Sequence, residues 1–483
     1  MESLENKSIL ITGSTGFLAK IFVEKVLRIQ PNVKKLYLVV RAEDIKSAKQ
    51  RLHDEVIGKD LFRVLKEKHG TNFNSFISNK VTPVVGDISC ENLGVKDSDL
   101  KEQLWNEVDI IVNIAATVNF DERYDIALGI NTMGAKHVLD FAKNCVKHEM
   151  LLHVSTAYVC GEKSGLILEK PFKMGETLNG ISGLDIQTEL KLAKEKRNEL
   201  QAKQATKEEE STAMKEFGMQ RARFYGWPNT YSFTKAMGEM LLGDLRGNVP
   251  LAIIRPTIIT STYKEPFPGW VEGVRTIDSL AVGYGKGKLT CFLGDFDLIL
   301  DLIPGDMVVN AMIAAMVTHA NQPNEFIYQV GSSLGNPIKC STFKDLAYCY
   351  FSKNPWIDKD GKQVIVTRPI LFTSAASFQR YMAVRYLLPL KGLQVVNAAL
   401  CNYFRHTYSS TNRKIKFVLR LVELYMPYIF FKGIFDDANL EKLRTTVTKP
   451  SEANTYYFDP KIIDWEDYFM NVHFPGIVRY VFK

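Results

Sequence analysis

The fold is decided by one stretch near the N-terminus: Ser8-Ile9-Leu10-Ile11-Thr12-Gly13-Ser14-Thr15-Gly16-Phe17-Leu18-Ala19. Its apolar start, Ser8–Thr12, predicts a buried strand, and Phe17–Arg28 has the pattern of a helix. Between them the small residues have the spacing of a dinucleotide-binding turn, in which glycine lets the backbone approach a pyrophosphate at the helix N-terminus. A plain turn is the alternative. We predict that the dinucleotide contacts Thr12, Gly13, Ser14, Thr15, Gly16, Phe17 and Leu18.

Strand and helix patterns alternate outward from this motif. Further strands are predicted at Lys35–Val40, Lys80–Val85, Val108–Ile114, Leu151–Ser155 and Leu251–Arg255, and helices at Met133–Val146 and Ala236–Leu245. Continuous apolar strands separated by helices indicate an α/β fold with a Rossmann-like, doubly wound parallel sheet.

Two later segments depart from this alternation. The Lys-, Glu- and Gln-rich segment Ile186–Gly218 predicts a solvated helix or helical pair, with a weak point at Glu208–Ser211. From about Pro337 the strands stop and the chain becomes helical and rich in aromatic residues. We therefore predict a nucleotide-binding domain over 1–336, with a charged insertion at about 180–225, and a helical domain over 337–483.

Composition excludes several classes of protein. The chain has 483 residues, of which 46% are hydrophobic and 24% charged, so it is not disordered, collagen-like or a disulfide scaffold. Its seven cysteines form no CxxC pair, so no metal site is predicted, and their odd number fits a reducing compartment. Because the first predicted strand begins at Ser8, we expect no signal or transit peptide, and no uncharged apolar run reaches the length of a spanning helix.

The ends of four predicted strands carry further cofactor candidates. Arg41 follows the second strand, at the position where an acidic residue would hold the ribose 2′-hydroxyl of NAD. An arginine there favours the 2′-phosphate of NADPH; the alternative is a plain exposed basic residue.

Asp87 can accept a hydrogen bond from the adenine amino group, or it can be a turn residue. The other candidates are Ile88, the small residues Ala115, Ala116 and Thr117, which alternatively serve packing, and Pro256, Thr257 and Ile258 after the sixth strand.

The catalytic candidates lie on one predicted helix and at one strand end. Tyr231 and Lys235 share a helix face, so the lysine ammonium is expected beside the phenol, lowering the pKa of the tyrosine and also holding the nicotinamide ribose. At the end of the fifth strand Thr156 is the first choice, and Ser155 the second, for a hydroxyl that binds the substrate oxygen together with Tyr231. We interpret His153 as a buried structural residue rather than as an acid or base.

Positive charge is concentrated late in the chain. The segment Arg368–Met426 has a net charge of +8, whereas the whole protein has +7. Its basic residues alternate with Tyr, Phe and Leu, which favours a membrane surface over nucleic acid. A solvated helical face remains the plain alternative. For the apolar runs Tyr381–Leu390 and Phe417–Phe431, the alternative is that they line a channel for an acyl chain.

Taken together, these motifs resemble those of the extended short-chain dehydrogenase/reductases. Within that superfamily the chain most resembles the plant-type, alcohol-forming fatty acyl-CoA reductases. The stretches that carry this resemblance are KIFVEKVLR (Lys20–Arg28), PNVKKLYLVVRA (Pro31–Ala42), GWPNTYSFTKAMGE (Gly226–Glu239), IIRPTIITSTYKEPFPGWVEG (Ile253–Gly273) and FDPKIIDWEDYF (Phe458–Phe469). Ala19 replaces the usual third glycine, a change that the motif tolerates.

The resemblance implies a reaction, a cofactor and a location. NADPH would reduce a fatty acyl-CoA, a bound aldehyde would form as CoA leaves, and a second reduction would give a primary alcohol, with Tyr231 and Thr156 at the oxyanion. Peripheral attachment to the cytosolic face of the endoplasmic reticulum, or a cytoplasmic location, would follow. Three alternatives remain: a reductase that stops at aldehyde, a nucleotide-sugar epimerase or dehydratase of the same fold, and a non-enzymatic NADPH-binding scaffold.

Overall fold

The predicted parallel sheet is present in the computed structural model, which describes residues 4–400, 403–447 and 456–482. Its seven strands are β1 (Ser8–Thr12), β2 (Lys35–Val40), β3 (Val81–Val85), β4 (Ile110–Asn113), β5 (Met150–Val154), β6 (Leu251–Pro256) and β7 (Glu325–Val330). They lie in the order β7-β6-β5-β4-β1-β2-β3, and every neighbouring pair is parallel. The chain order reverses between β1 and β4, which is where a doubly wound sheet binds its ligand, at the carboxyl ends of the strands.

The first six strands confirm the prediction to within two residues, but β7 was not predicted. Between β6 and β7 the chain forms only short strands of two or three residues and two helices, so the regular alternation is already lost before β7 begins. β7 extends the sheet by pairing with β6 from Glu325 and Leu251 to Val330 and Pro256.

The sheet is covered by helices on both faces. The helices of the chain are α1 (Phe17–Ile29), α2 (Ile45–Leu52), α3 (Arg63–His69), α4 (Phe73–Lys80), α5 (Ser98–Glu107), α6 (Tyr124–Ala127), α7 (Gly134–Asn144), α8 (Ile186–Ala202), α9 (Lys207–Phe224), α10 (Thr230–Leu245), α11 (Thr276–Gly285), α12 (Gly305–His319), α13 (Cys340–Lys353), α14 (Ala375–Met382), α15 (Leu388–Ala399), α16 (Arg405–Ile429), α17 (Ala438–Val447), α18 (Trp465–Asp467) and α19 (Phe474–Tyr480). One core cluster between sheet and helices includes Leu10, Ile111, Val138, Phe141 and Ile253.

The charged insertion is a helical pair, α8 and α9, but the predicted weak point is wrong. Glu208–Ser211 lies inside α9, and the break falls before it, at residues 203–206. The reason is a capping box: the Thr206 hydroxyl accepts from the Glu209 N–H, and the Glu209 carboxylate accepts from the Thr206 N–H. The acidic residues of this stretch lie in the first turn of α9, where they favour the start of a helix.

The chain divides into two compact units. The first contains residues 1–278, 301–337 and 433–483, and the second contains 279–300 and 338–432. In the second unit, α13–α16 accompany short strand pairs, Cys291–Leu293 with Ile370–Phe372 and Ile299–Leu300 with Ile338–Lys339. One segment of the first unit ends at Pro337, residues 279–300 belong to the second unit, and the predicted domain boundary stays a prediction.

The described residues from Gly433 onward belong to the first unit, and their contacts show why. Gly433–Phe435 pairs in parallel with Gly165–Ile167. The Tyr468 hydroxyl donates to the Ser261 carbonyl at 2.9 Å, and His473 Nδ1 lies 3.0 Å from the Ser261 hydroxyl. Because these groups are buried, removing their partners would leave polar atoms unsatisfied inside the unit.

Candidate active site

The glycine-rich turn joins β1 directly to α1. Gly13 has φ +68°, and a Cβ there would lie 2.7 Å from the backbone N and Cα of Ala115, so only glycine fits between the two strand ends. Gly16 is the N-cap of α1 and has no side chain that caps the first N–H groups. The Ser14 hydroxyl donates to the Ile11 carbonyl at 3.0 Å, and this hydrogen bond holds the turn against the end of β1. This geometry fits a pyrophosphate at the start of α1.

The other members of the predicted turn line the same strand-to-helix junction. Thr15 is partly exposed, whereas Phe17 and Leu18 are buried in the first turn of α1. The Phe17 ring stacks on Trp270, with ring centroids 5.1 Å apart. Phe17 and Leu18 therefore anchor the helix by their side chains, and a ligand contact from them would come through the backbone.

The end of β4 is fixed against the turn. The Ala115 N–H donates to Thr12 Oγ1 at 3.2 Å. Two residues on, Thr117 exchanges hydrogen bonds with the buried Asn131, whose amide accepts from the Thr117 N–H and donates to its carbonyl. Ala116 lies between them and is partly exposed. Small side chains at Ala115 and Ala116 are therefore needed because the backbone here passes close to the dinucleotide turn.

Two further strand ends border the same edge of the sheet. Arg41 follows β2 and is exposed, and its carbonyl accepts from the Arg51 guanidinium. At the end of β3, Asp87 Oδ1 accepts from the Ser89 N–H at 2.9 Å and from the Ser89 hydroxyl at 2.8 Å. The structure thus gives Asp87 a turn role, and adenine recognition stays a prediction. Ile88 is buried, and its carbonyl lies 2.9 Å from His137 Nδ1.

The segment after β6 is held by backbone hydrogen bonds. Pro256 ends the strand, the Thr257 N–H donates to the Val330 carbonyl at 3.0 Å, and the Ile258 N–H donates to the Asp301 carbonyl at 3.1 Å. All three residues lie at the carboxyl edge of the sheet, and their contact with the nicotinamide end stays a prediction.

Tyr231 and Thr156 are brought together. Tyr231 lies in the first turn of α10, and its hydroxyl lies close enough to that of Thr156, which follows β5, for the threonine to favour the phenolate. Phe120 stacks on the tyrosine ring at a centroid distance of 5.8 Å. Burial raises the pKa of Tyr231 to about 12, opposed by the Thr156 hydrogen bond and the positive charge of Arg275. The phenol therefore keeps its proton at neutral pH, and the expectation of a lowered tyrosine pKa is wrong.

The reason for that error lies in the direction of the lysine side chain. Lys235 is only 1% exposed, and its Nζ donates to the Val154 carbonyl at 2.7 Å and lies 3.2 Å from His153 Nε2. Burial lowers the pKa of Lys235 to about 8, opposed by the carboxylate of Glu239. The ammonium thus points to β5, although Tyr231 and Lys235 share a helix face as predicted.

Ser155, the second choice, has a different environment. Its hydroxyl is buried and has no hydrogen-bond partner among the described residues, while its N–H donates to the Ile254 carbonyl at 2.7 Å. A buried hydroxyl without a partner beside Thr156 suits a ligand contact.

Three contributors were missed by the sequence interpretation. Asn131 holds the Thr117 backbone and also donates to Thr234 on α10. Arg275 brings the positive charge felt by Tyr231, and Asn113 connects Thr12 with His153. None of the three belongs to a local sequence motif. Each acts on residues that are distant in the chain, so only the three-dimensional structure reveals its role. Arg255, at the end of β6, forms a buried ion pair with Glu239 at 2.5 Å.

Comparisons with known proteins show to which family the chain belongs. Two family models match, both described as male sterility protein, over residues 11–312 and 385–483. An alcohol-forming fatty acyl-CoA reductase of Simmondsia chinensis is 58% identical over 484 residues, covering 100% of this chain and 98% of the relative. The chain belongs to the fatty acyl-CoA reductases. A probable fatty acyl-CoA reductase 4 of Arabidopsis thaliana is 56% identical, again over 100% of this chain and 99% of the relative.

The fold of this fatty acyl-CoA reductase also occurs in more distant solved structures. The reductase domain of a nonribosomal peptide synthetase from Mycobacterium tuberculosis has a TM-score of 0.58 at 19% identity, covering 99% of this chain and 91% of that one. The terminal R domain of the myxalamid pathway has a TM-score of 0.56 at 16% identity, with coverage of 94% and 90%. These likenesses show only that the fold is shared, and the family itself rests on the closer relatives.

Proposed function

We propose that this protein reduces a fatty acyl-CoA to a primary fatty alcohol through a bound aldehyde, releasing CoA and using NADPH. The observation that carries the proposal is the proximity of the Tyr231 and Thr156 hydroxyls at the sheet edge that also holds the dinucleotide turn, in a chain that matches a reductase so named over its full length. An alcohol-forming reaction needs a protonated acid at the carbonyl oxygen, and a phenol with a pKa of about 12 meets that need.

The chain's own residues supply binding, polarisation and the proton. When bound, NADPH supplies a hydride in each of the two reductions. Hydride addition to the thioester carbon places a negative charge on the former carbonyl oxygen, and Tyr231 and Thr156 stabilise this oxyanion. The carbonyl then re-forms, the C–S bond breaks, and CoA leaves as a thiolate that takes a proton from solvent. In the second reduction Tyr231 donates its proton to the alkoxide, and solvent then restores the phenol.

The choice of NADPH over NADH rests on Arg41. Its side chain is exposed beyond β2, and the Arg51 guanidinium is held next to it by the Arg41 carbonyl. Two guanidinium groups near the ribose position favour a 2′-phosphate, which arginine binds in bidentate fashion. Arg51 also pairs with Glu55, so Arg41 is the better candidate for direct contact.

Expression in a host that supplies acyl-CoAs tests the proposed function. The expected result is a new set of primary alcohols in the lipid extract, absent with Tyr231→Phe expressed at the same level. Aldehydes without alcohols would favour a reductase that stops after one reduction. No change in either class would overturn the proposal.

We also propose peripheral attachment to an anionic membrane surface, at the cytosolic face of the endoplasmic reticulum. The support comes from the second unit, where α15 and its flanks expose apolar side chains: Val384, Leu388, Val395, Val396, Leu400 and Tyr403. Exposed basic residues lie in the same segment, among them Arg380, Arg385 and Lys391. Apolar and basic side chains on adjacent surface suit the boundary between headgroups and acyl chains.

Attachment of this kind differs from spanning. Among the residues that the structure describes, no helix combines the length and apolarity needed to cross a bilayer. The competing expectation, that Tyr381–Leu390 lines an acyl channel, fits its buried members Met382 and Leu390 but not the exposed Val384 and Leu388.

A further inference from the structure

A segment that follows β6 in the chain, residues 262–275, runs back along α1 towards the start of that helix; we call it the strap. The Glu265 carboxylate pairs with Lys25, in the second half of α1. Further along the strap, Glu272 pairs with Lys20, in the first half of the same helix. Both lysines are only 2% exposed, so these ion pairs are largely removed from water and costly to break. They fix the strap against α1.

The strap also has a defined conformation of its own. The Thr262 N–H donates to the Trp270 carbonyl at 3.0 Å, and the Thr262 hydroxyl accepts from the Trp270 N–H at 2.9 Å. The Trp270 ring then stacks on Phe17, with ring centroids 5.1 Å apart. Phe17 is the first residue of α1, so the strap reaches the dinucleotide turn in a fixed position.

Arg275 ends the strap, and its backbone is held from the far side as well. Its carbonyl accepts from the Asp278 N–H at 2.7 Å, and the Asp278 carboxylate lies 3.2 Å from Nε2 of the buried His473. The Arg275 guanidinium carbon lies 5.7 Å from the centroid of the Phe17 ring, within the range of a cation–π contact. Its positive charge also acts on the phenol of Tyr231. The guanidinium is therefore near both the dinucleotide turn and the candidate catalytic tyrosine.

The charges around Arg275 leave it without a counter-ion. The side chain is exposed, and in the part of the chain that the structure describes no carboxylate pairs with it. Other arginines of the first unit, such as Arg123 and Arg255, do pair with carboxylates. The neighbouring start of α1 has no acidic residue in its first turn, and its N-cap Gly16 has no capping side chain. Since a helix start repels cations and attracts anions, a cation held there favours an anionic ligand that contacts both.

We propose that Arg275 binds the pyrophosphate of the nicotinamide dinucleotide, together with the N–H groups at the start of α1. The ring that Arg275 contacts belongs to the predicted dinucleotide turn, which is why the nucleotide is the favoured ligand. The inference rests on the proposed function only in taking a nicotinamide dinucleotide as the cofactor. It depends neither on the choice of NADPH nor on the alcohol product. Because NADPH and NADH both contain the pyrophosphate, Arg275 should serve both, in contrast to Arg41.

The test measures dissociation constants of NADPH and NADH for the full chain by quenching of protein fluorescence. Arg275→Met keeps an unbranched side chain that can pack on Phe17 but removes the charge. Both constants should rise about tenfold and by the same factor, because charge-assisted hydrogen bonds to phosphate are lost. Arg275→Lys keeps the charge without the bidentate fork, and the rise should be smaller.

Arg63→Met is the matched control. The Arg63 guanidinium lies over another aromatic ring of the strap, 4.3 Å from the centroid of Phe267. Removing it should leave both dissociation constants as in the wild type. Thermal unfolding without nucleotide should give the same midpoint for Arg275→Met as for the wild type, because Arg275 is exposed and has no ion pair among the described residues.

Three results would overturn the proposal. Arg275→Met could leave both affinities unchanged, or it could weaken NADPH alone, which would assign Arg275 to the 2′-phosphate. CoA contains a pyrophosphate of its own and is titrated in parallel. Weaker binding of CoA with unchanged binding of both nucleotides would assign Arg275 to the substrate. No reaction is run in these titrations, so failure of the reductase proposal is seen separately, in the product analysis.

Discussion

At the scale of single residues, the protonation of Tyr231 is the feature on which the chemistry depends. A phenol with a pKa of about 12 is a donor throughout the physiological range. Tyr231→Phe keeps the ring that stacks on Phe120 and removes only the hydroxyl. We expect a loss of turnover of about 10²–10⁴-fold, the usual contribution of a general acid, with NADPH binding unchanged. Initial rates and nucleotide titration check this, and a variant that keeps half its rate would rule out the role.

Arg41 carries the second prediction at this scale. Arg41→Asp replaces a cation by an anion where the 2′-phosphate is expected. The dissociation constant for NADPH should rise by at least about tenfold, while that for NADH changes little, because only NADPH carries the extra phosphate. Arg63→Asp makes the same charge change at a partly exposed arginine of α3 that pairs with Asp60, and it serves as a control for net charge. Equal losses for both nucleotides would contradict the assignment of Arg41.

At the scale of elements, the junction between β1 and α1 shows why glycine is required. Gly13→Ala combines φ +68° with a Cβ 2.7 Å from the Ala115 backbone. We expect NADPH affinity to fall by more than about tenfold because β4 or the turn must move. Gly247→Ala is the matched control, since Gly247 has φ +59° but nothing within 4 Å of its Cβ position. Similar affinities in the two variants, measured by nucleotide titration, would count against the tight approach of turn and strand.

The same scale separates what could be predicted from what could not. β1 to β6, α1 and α10 follow from local patterns, because apolar runs and small residues at fixed spacing carry their own signal. The break before α9 depends on the capping box that Thr206 and Glu209 form together. The charge pattern alone predicted the break at Glu208–Ser211, a few residues further along the chain. The orientation of Lys235 was missed because it depends on His153, 82 residues away in the chain, which a helix-face argument does not include.

At the scale of the whole molecule, the described residues from Gly433 onward belong to the first unit, whereas the proposed membrane surface belongs to the second. Membrane attachment is therefore better tested by point substitutions than by deleting the end of the chain. Truncation after Lys362 would also delete Gly433–Phe435 and the buried His473 of that unit. Point substitutions on α15 avoid this problem. Val395, which is 70% exposed, can be compared with Val146, which is 76% exposed at the end of α7.

We expect the full chain to float with vesicles that contain anionic lipid and to be released by high salt, which screens the basic residues. Val395→Asp should weaken flotation, whereas Val146→Asp should not. Lys391→Gln should reduce binding about fivefold, since one basic residue near an anionic surface contributes about 1 kcal/mol. A protein that stays wholly in the aqueous fraction at low salt would end the membrane proposal and leave the reductase assignment intact.

The most direct test of the central claim is the stoichiometry of the reaction catalysed by the purified protein. A panel of saturated acyl-CoAs is incubated with NADPH, and NADPH oxidation, CoA thiol release and the extracted products are measured together. The account predicts two NADPH oxidised for each CoA released, with a primary alcohol as the product and the aldehyde only in traces. One NADPH per CoA with accumulating aldehyde, or NADPH oxidation without release of CoA, would contradict it.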